Sequence, residues 1–340
     1  MAACHALRPP PAPTTTKVPG SPASSAAPTT TTTTTTQPRD LAPLTHLPLQ
    51  DPSVATRPAV LVKIDNAPAA RPQSGLDHAD VVYEEVVEGG ITRYLAVFQS
   101  RGADPVGPVR SVRRTDADVV APIGGLFAYS GGIPAFVAEV RATGVVDVGA
   151  NDDGSAYYRD SSRASPHNLY TSTSTLRRAA PPGLRPPPAL FRYRAPGQPL
   201  GAAGASPAAS VRVVMSAVSA DTWTWRPSSS TWVHEIDGVT QTLADGATEQ
   251  ATNVIVEEVP YVGTGFVDPA GNPVPDAQTV GSGGAWFLSG GRVAQGSWSK
   301  PSDRSVTRFT DSAGAQLRLA PGTTWVLLAP TGATVAPSSG

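Results

Sequence analysis

Two hydrophobic patterns divide the chain. Between residues 57 and 178, short apolar runs alternate with stretches of helical period. Ala59-Val60-Leu61-Val62-Lys63-Ile64-Asp65 is an apolar run closed by a turn and predicts a buried strand. Val81 to Val86 and Tyr94 to Phe98 predict two more, and the Glu88-Gly89-Gly90 corner between them predicts an antiparallel pair. Helices are expected over Thr115 to about Ile123 and over Ile133 to Thr143, the second with Pro134 in its first turn and Gly144 as its stop. Leu126 to Ser130 and Val145 to Val148 add strands, so this half reads as a mixed-sheet α/β domain. From residue 210 to 330 the pattern turns to short strands at hairpin spacing, and a smaller, mainly β domain is expected.

The flanks have a different character. Residues 1–56 are poor in apolar positions and rich in Pro and Thr, with an unbroken run from Thr29 to Thr36. Such a segment buries too little surface to offset its ordering entropy and predicts a disordered tether. Residues 179–209, rich in Pro, Gly and Ala, read as a linker, and 331–340 as a disordered tail.

Composition sharpens this. Charged residues are only 16% of the chain while Pro (36) and Gly (32) are abundant, which favours strands and loops over long surface helices. A net charge of −1 supplies no attraction for nucleic acid, so no nucleic-acid partner is expected. The single cysteine, Cys4, excludes an internal disulfide and a cysteine-based zinc site. Ala2-Ala3-Cys4 ahead of the tether has the form of the end of a bacterial lipobox, and lipid on Cys4 is expected. The charged and apolar parts of that signal do not precede it, so the expectation carries with it an upstream start.

The polar strings bear the candidate chemistry. Arg110, Arg113 and Arg114 crowd one short loop, and Arg71 and Arg93 can join them. Guanidiniums at this density need an anion or carboxylates among them, and their planar forks suit phosphate or carboxylate. A helix beginning at Thr115 would aim its free N–H groups at the same spot. The alternative is a set of internal ion pairs to Asp65, Glu84, Glu85 and Glu88. His167, within Pro166-His167-Asn168-Leu169-Tyr170, can act as a base if Asp160 or Glu84 orients it, or can simply fix a turn. Asp65, Asp80, Glu84 and Glu85 lie on separate strands, and adjacent Glu84 and Glu85 point to opposite faces, so no metal site is predicted. Trp223, Trp225 and Trp232 read as a same-face packing cluster.

Three strings together carry a family resemblance: Ile64-Asp65-Asn66 through Arg71-Pro72-Gln73-Ser74-Gly75-Leu76, with Ala79-Asp80-Val81-Val82-Tyr83-Glu84 and Glu88-Gly89-Gly90-Ile91-Thr92-Arg93; Gly107 to Arg113; and Tyr158-Arg159-Asp160 through Tyr170. Asn253 to Val256, Gly281-Ser282-Gly283, Trp298 and the Pro321–Trp325 string continue it. Over residues 57–330 the chain resembles the YerB-like lipoprotein family, a bacterial family of unassigned function. The resemblance implies an envelope-anchored two-domain protein and supplies no catalytic residue. A looser echo of LytR-CpsA-Psr envelope phosphotransferases rests on Ala79-Asp80, Arg113 to Asp116 and Ala128 to Gly132.

The resulting expectation is an extracytoplasmic, lipid-anchored ligand-binding or scaffolding module without a cofactor. Its site would comprise Asp65, Asn66, Arg71, Gln73, Glu84, Arg93, Arg110, Arg113, His167, Asn168 and Tyr170. Its partner would be a cell-wall precursor, another anionic ligand or an envelope protein. The alternative is an envelope phosphotransferase or hydrolase acting on a phosphorylated or peptidoglycan-related substrate.

Overall fold

The structure, a computed structural model, describes Met1, residues 40–152 and residues 154–339. Cys4, and with it the lipidation expectation, lies outside the described residues. Val60–Asp65 (β1), Val81–Val86 (β2), Thr92–Phe98 (β3), Leu126–Ala128 (β4) and Val146–Asp147 (β5) form as predicted, with β2 and β3 antiparallel. The two expected helices are Arg114–Val120 (α1) and Pro134–Ala142 (α2), and a short third, Thr173–Arg177 (α3), follows them. Every residue of β1 is buried, as its near-continuous apolar run requires of a strand covered on both faces.

The two halves share one sheet. Thr324–Pro330, at the C-terminal end of the β half, lies between Asn253–Val259 and β2, parallel to both. The sheet order runs from Arg308–Asp311 through 292–300, 281–289, 253–259 and 324–330 to β2, β3, β1, β4 and β5. A second sheet, built on Ser210–Ser216, Ser219–Arg226 and Thr231–Ile236, packs on one face of it. There Trp223 and Trp232 are fully buried and Trp225 packs on Trp232 with ring centres 5.3 Å apart, which is the expected packing cluster. The opposite face carries α1, α2 and a second core containing Leu61, Val97, Phe127 and Phe136.

Three boundary expectations are corrected. The tether does not reach residue 56: Leu44 is fully buried, Tyr193 Oη donates to its carbonyl, and Gly322 N donates to Thr45 O at 2.8 Å. Isolated apolar residues in a polar stretch are enough when a preformed pocket receives them. The linker is likewise a packed strap, with Leu190, Phe191 and Leu200 buried. In the tail, Val335–Ser338 adds an edge strand to Ser210–Val213 of the second sheet.

Candidate functional site

The polar strings meet at the end of β1. Asp65 stands opposite Arg93 of β3, and strand alternation sends Lys63, Asp65, Glu85 and Arg93 to one face and Ile64, Tyr94 and Glu84 to the other. Asp65 is almost fully buried, and its Oδ2 receives two groups. His167 Nδ1 lies 2.7 Å away, and Arg110 Nε lies 2.9 Å away but off the line of its N–H, so the latter is an ion pair rather than a directed hydrogen bond. Ala67 N donates to Oδ1 at 3.1 Å.

Asn66 organises the neighbouring loop. Its Oδ1 accepts from Arg71 Nε at 3.0 Å and from Gln73 Nε2 at 2.9 Å, while its Nδ2 donates to Thr92 Oγ1 at 2.7 Å. Arg163 ties the histidine segment to this loop by donating to the carbonyls of Ala70, Arg71 and Pro72 and to Tyr170 Oη. Asn168 Oδ1 accepts from Arg159 Nη1 at 2.7 Å. Gly107 lets the loops close on each other: a Cβ there would fall 2.7 Å from Tyr170 Cδ1 and 2.8 Å from Leu169 O.

Arg113 and Arg93 occupy a deeper position. Arg113 donates from Nη2 to Glu88 Oε2 at 2.7 Å, and its Nε is 2.5 Å from Glu88 Oε1. Arg93 Nη2 is 3.7 Å from the same carboxylate, and its Nη1 donates to Ser111 O at 3.0 Å. Burial, and next the charge of Arg113, hold Arg93 down to about 10. Burial opposes ionisation of Glu88, but the hydrogen bond and charge of Arg113 and the charge of Arg93 bring it below its ordinary value. Three guanidiniums thus gather around two carboxylates, with Arg110, Ser111 and His167 partly exposed at the mouth. Arg71 does not join them: it bonds Asn66, whose Nδ2 reaches Thr92 on the Tyr94 face of the sheet.

Several assignments change. Arg114 turns outward to Asp118, Glu139 and Asp276. The helix begins at Arg114 rather than Thr115, and Asp116 Oδ2 accepts from Arg113 N at 2.6 Å. The partner of His167 is Asp65, not Asp160, whose Oδ1 accepts from Ser162 N at 2.9 Å, nor Glu84. Lys63, which sequence reasoning passed over inside a strand, is fully buried between Glu85 and Asp116. A lone charge inside an apolar run was the available signal. Burial pushes Asp116 above its ordinary value, opposed by Lys63.

Glu84 does not join the arginines. It faces the second sheet beside Asp221, His234 and Glu249, all buried. His234 stacks on Trp223 with ring centres 4.4 Å apart, its Nδ1 is 2.5 Å from Glu249 Oε1, and its Nε2 is 3.0 Å from Asp221 Oδ1. Burial lowers its proton affinity, but the hydrogen bonds to Asp221 and Glu249 outweigh this and push it up to about 10. Burial first, and then Asp221, push Glu84 well above the usual carboxyl range.

Two family models match, "Protein of unknown function (DUF3048) N-terminal domain" over residues 44–183 and the corresponding C-terminal domain over residues 211–326. The chain belongs to the DUF3048 family. Within the family, it is 40% identical over 141 residues to "Putative lipoprotein YerB" of Bacillus subtilis (strain 168). That segment is 41% of this chain and 42% of the relative, so it spans about two fifths of the relative's length. The crystal structure of the YerB protein from Bacillus subtilis superposes with a TM-score of 0.73 at 27% identity, covering 87% of this chain and 99% of that one. The resemblance read from the polar strings is therefore correct, as is the order of a mixed-sheet N-terminal region and a mainly β C-terminal one. The N-terminal match begins at Leu44, the residue buried ahead of the expected domain start.

Proposed function

We propose that this DUF3048 protein is a lipid-anchored binding module of the bacterial cell envelope. In this reading the Arg110–His167 mouth takes the anionic group of a cell-wall precursor or other envelope ligand. The observation that carries it is the imbalance of three guanidiniums around two carboxylates at a partly open position. Glu88 occupies Arg113 and Arg93 in the buried part, whereas Arg110 shares Asp65 with His167 and keeps its Nη groups for a phosphate or carboxylate. The name of the Bacillus subtilis relative supports the anchor, for which Cys4 is the candidate residue. Titration calorimetry with inorganic pyrophosphate and with a soluble muropeptide tests the site. Arg110→Ala should weaken binding about 10–100-fold, the worth of one charged hydrogen bond. No binding to the wild type, or equal binding to the variant, would refute it.

One observation favours a second reading. An imidazole held through Nδ1 by a buried carboxylate is the arrangement of a general base. If the module is instead an envelope hydrolase or phosphotransferase, His167→Ala should lower turnover about 10²–10⁴-fold while leaving ligand affinity nearly intact.

A further inference from the structure

The cluster on the opposite face of the shared sheet has no part in the anion site. Glu84 comes from β2, Asp221 and His234 from neighbouring strands of the second sheet, and one ligand atom of each lies within 4.8 Å of the others. Glu84, Asp221 and His234 are all fully buried. Neither carboxylate oxygen of Glu84 nor the Oδ2 of Asp221 has a hydrogen bond within 3.5 Å, nor has the nearby Tyr94 hydroxyl, and only the Thr92 hydroxyl approaches Glu84 as an outside donor. Three carboxylate oxygens so poorly served in one dry spot are costly, since each forgoes most of its hydration without replacement.

A proton relieves this only in part. Placed on His234, it bridges Asp221 and Glu249 and leaves Glu84 as it was. Placed on Glu84, it can serve one oxygen of Asp221 and leaves the other oxygen of Glu84 without a donor. A divalent cation would meet both oxygens of Glu84, Asp221 and an imidazole nitrogen at once. The imidazole is already oriented for this. The metal would displace the second ring proton; with Nδ1–H donating to Glu249, the lone pair of Nε2 is then directed to the side where Asp221 lies, and the stack on Trp223 fixes the ring plane. A carboxylate behind a ligating histidine is the usual support for such a ligand. One imidazole and two carboxylates are a borderline donor set, suited to zinc or manganese rather than to calcium or magnesium.

We propose that Glu84, Asp221 and His234 bind one divalent d-block metal ion, which pins the second sheet onto β2, with Glu249 positioning His234. The role is structural: the three ligands are fully buried, so the ion would enter as the sheets close. It explains why a glutamate faces inward on a strand whose neighbours on that face are apolar, among them Val82 and Tyr94.

The test uses the full chain. It is unfolded in guanidinium with a chelator, then desalted and refolded without metal or with zinc, manganese, magnesium or calcium chloride. Retained metal is then quantified and melting recorded. About one equivalent of zinc or manganese should be retained, with a rise in melting midpoint on the order of 5 °C. Glu84→Gln should refold to a metal-free midpoint no lower than that of the wild type and show no metal-dependent rise. Asp221→Asn serves the same purpose should Glu84→Gln not fold. No retained metal and no rise in the wild type would overturn the proposal. So would a rise with magnesium or calcium alone, or an undiminished zinc rise in both variants.

Discussion

His167 Nδ1 lies 2.7 Å from Asp65 Oδ2, joining residues 102 positions apart in the chain. The contact ties the loop of Pro166 to Tyr170 to the end of β1. Because Asp65 also faces Arg110, one buried carboxylate sets the orientation of two side chains at the mouth. Asp65→Asn keeps the shape but removes the charge both groups lean on. It should cost about 1–3 kcal/mol in urea unfolding and weaken anion binding as well, since Arg110 and His167 lose their anchor. A variant of unchanged stability would show that the pair is incidental.

The arginines should separate into two classes. Arg113 is buried against Glu88, and Arg113→Ala leaves that carboxylate only the longer contact to Arg93, so a loss of about 3 kcal/mol is expected. Arg110 is partly exposed, and Asp65 keeps His167 and Ala67 N without it. Arg110→Ala should therefore cost about 1–2 kcal/mol, since Asp65 keeps two other partners. Paired denaturation curves distinguish the two, and equal losses would contradict the division.

The segment before residue 57 should matter to stability. Leu44 is fully buried, so Leu44→Ala should cost about 2–5 kcal/mol, and deletion of residues 1–50 at least as much. A truncated protein that melts with the full chain would mean that the pocket for Leu44 closes without it.

Stability should fall with rising pH in a defined window. Burial pushes Glu257 from 4.5 up to about 7, against the opposing charge of Lys300. Between those two values the unfolded chain has released its proton while the folded one still holds it, so folding weakens as pH rises. The cumulative loss is about 3 kcal/mol. Glu257→Gln should lose this share of the slope and keep the part that belongs to Asp116, which burial also pushes up. Urea midpoints of both proteins measured across the window give the comparison, and parallel curves would remove Glu257 as the cause.

The local pattern along the chain was enough for the strands from Val60 to Phe98, for both helices and for the change to β structure after residue 210, because period and turn chemistry are short-range properties. It was also enough to bring Asp65, Arg71, Arg93, Arg110, Arg113 and His167 forward as one candidate group, since their density in short polar strings is visible without coordinates. Which carboxylate each arginine takes was not legible. Glu84 and Glu85 are adjacent and chemically alike, and only strand pairing sends one to Lys63 and the other to His234. Nor could the chain reveal that Leu44 would be buried or that Thr324–Pro330 would enter beside β2. Nothing near Leu44 differs from a tether, and nothing near Thr324 names its neighbours. Burial of a lone residue and parallel pairing across more than two hundred positions are decided by which surfaces meet in the folded chain, and those surfaces exist only once the sheet has formed.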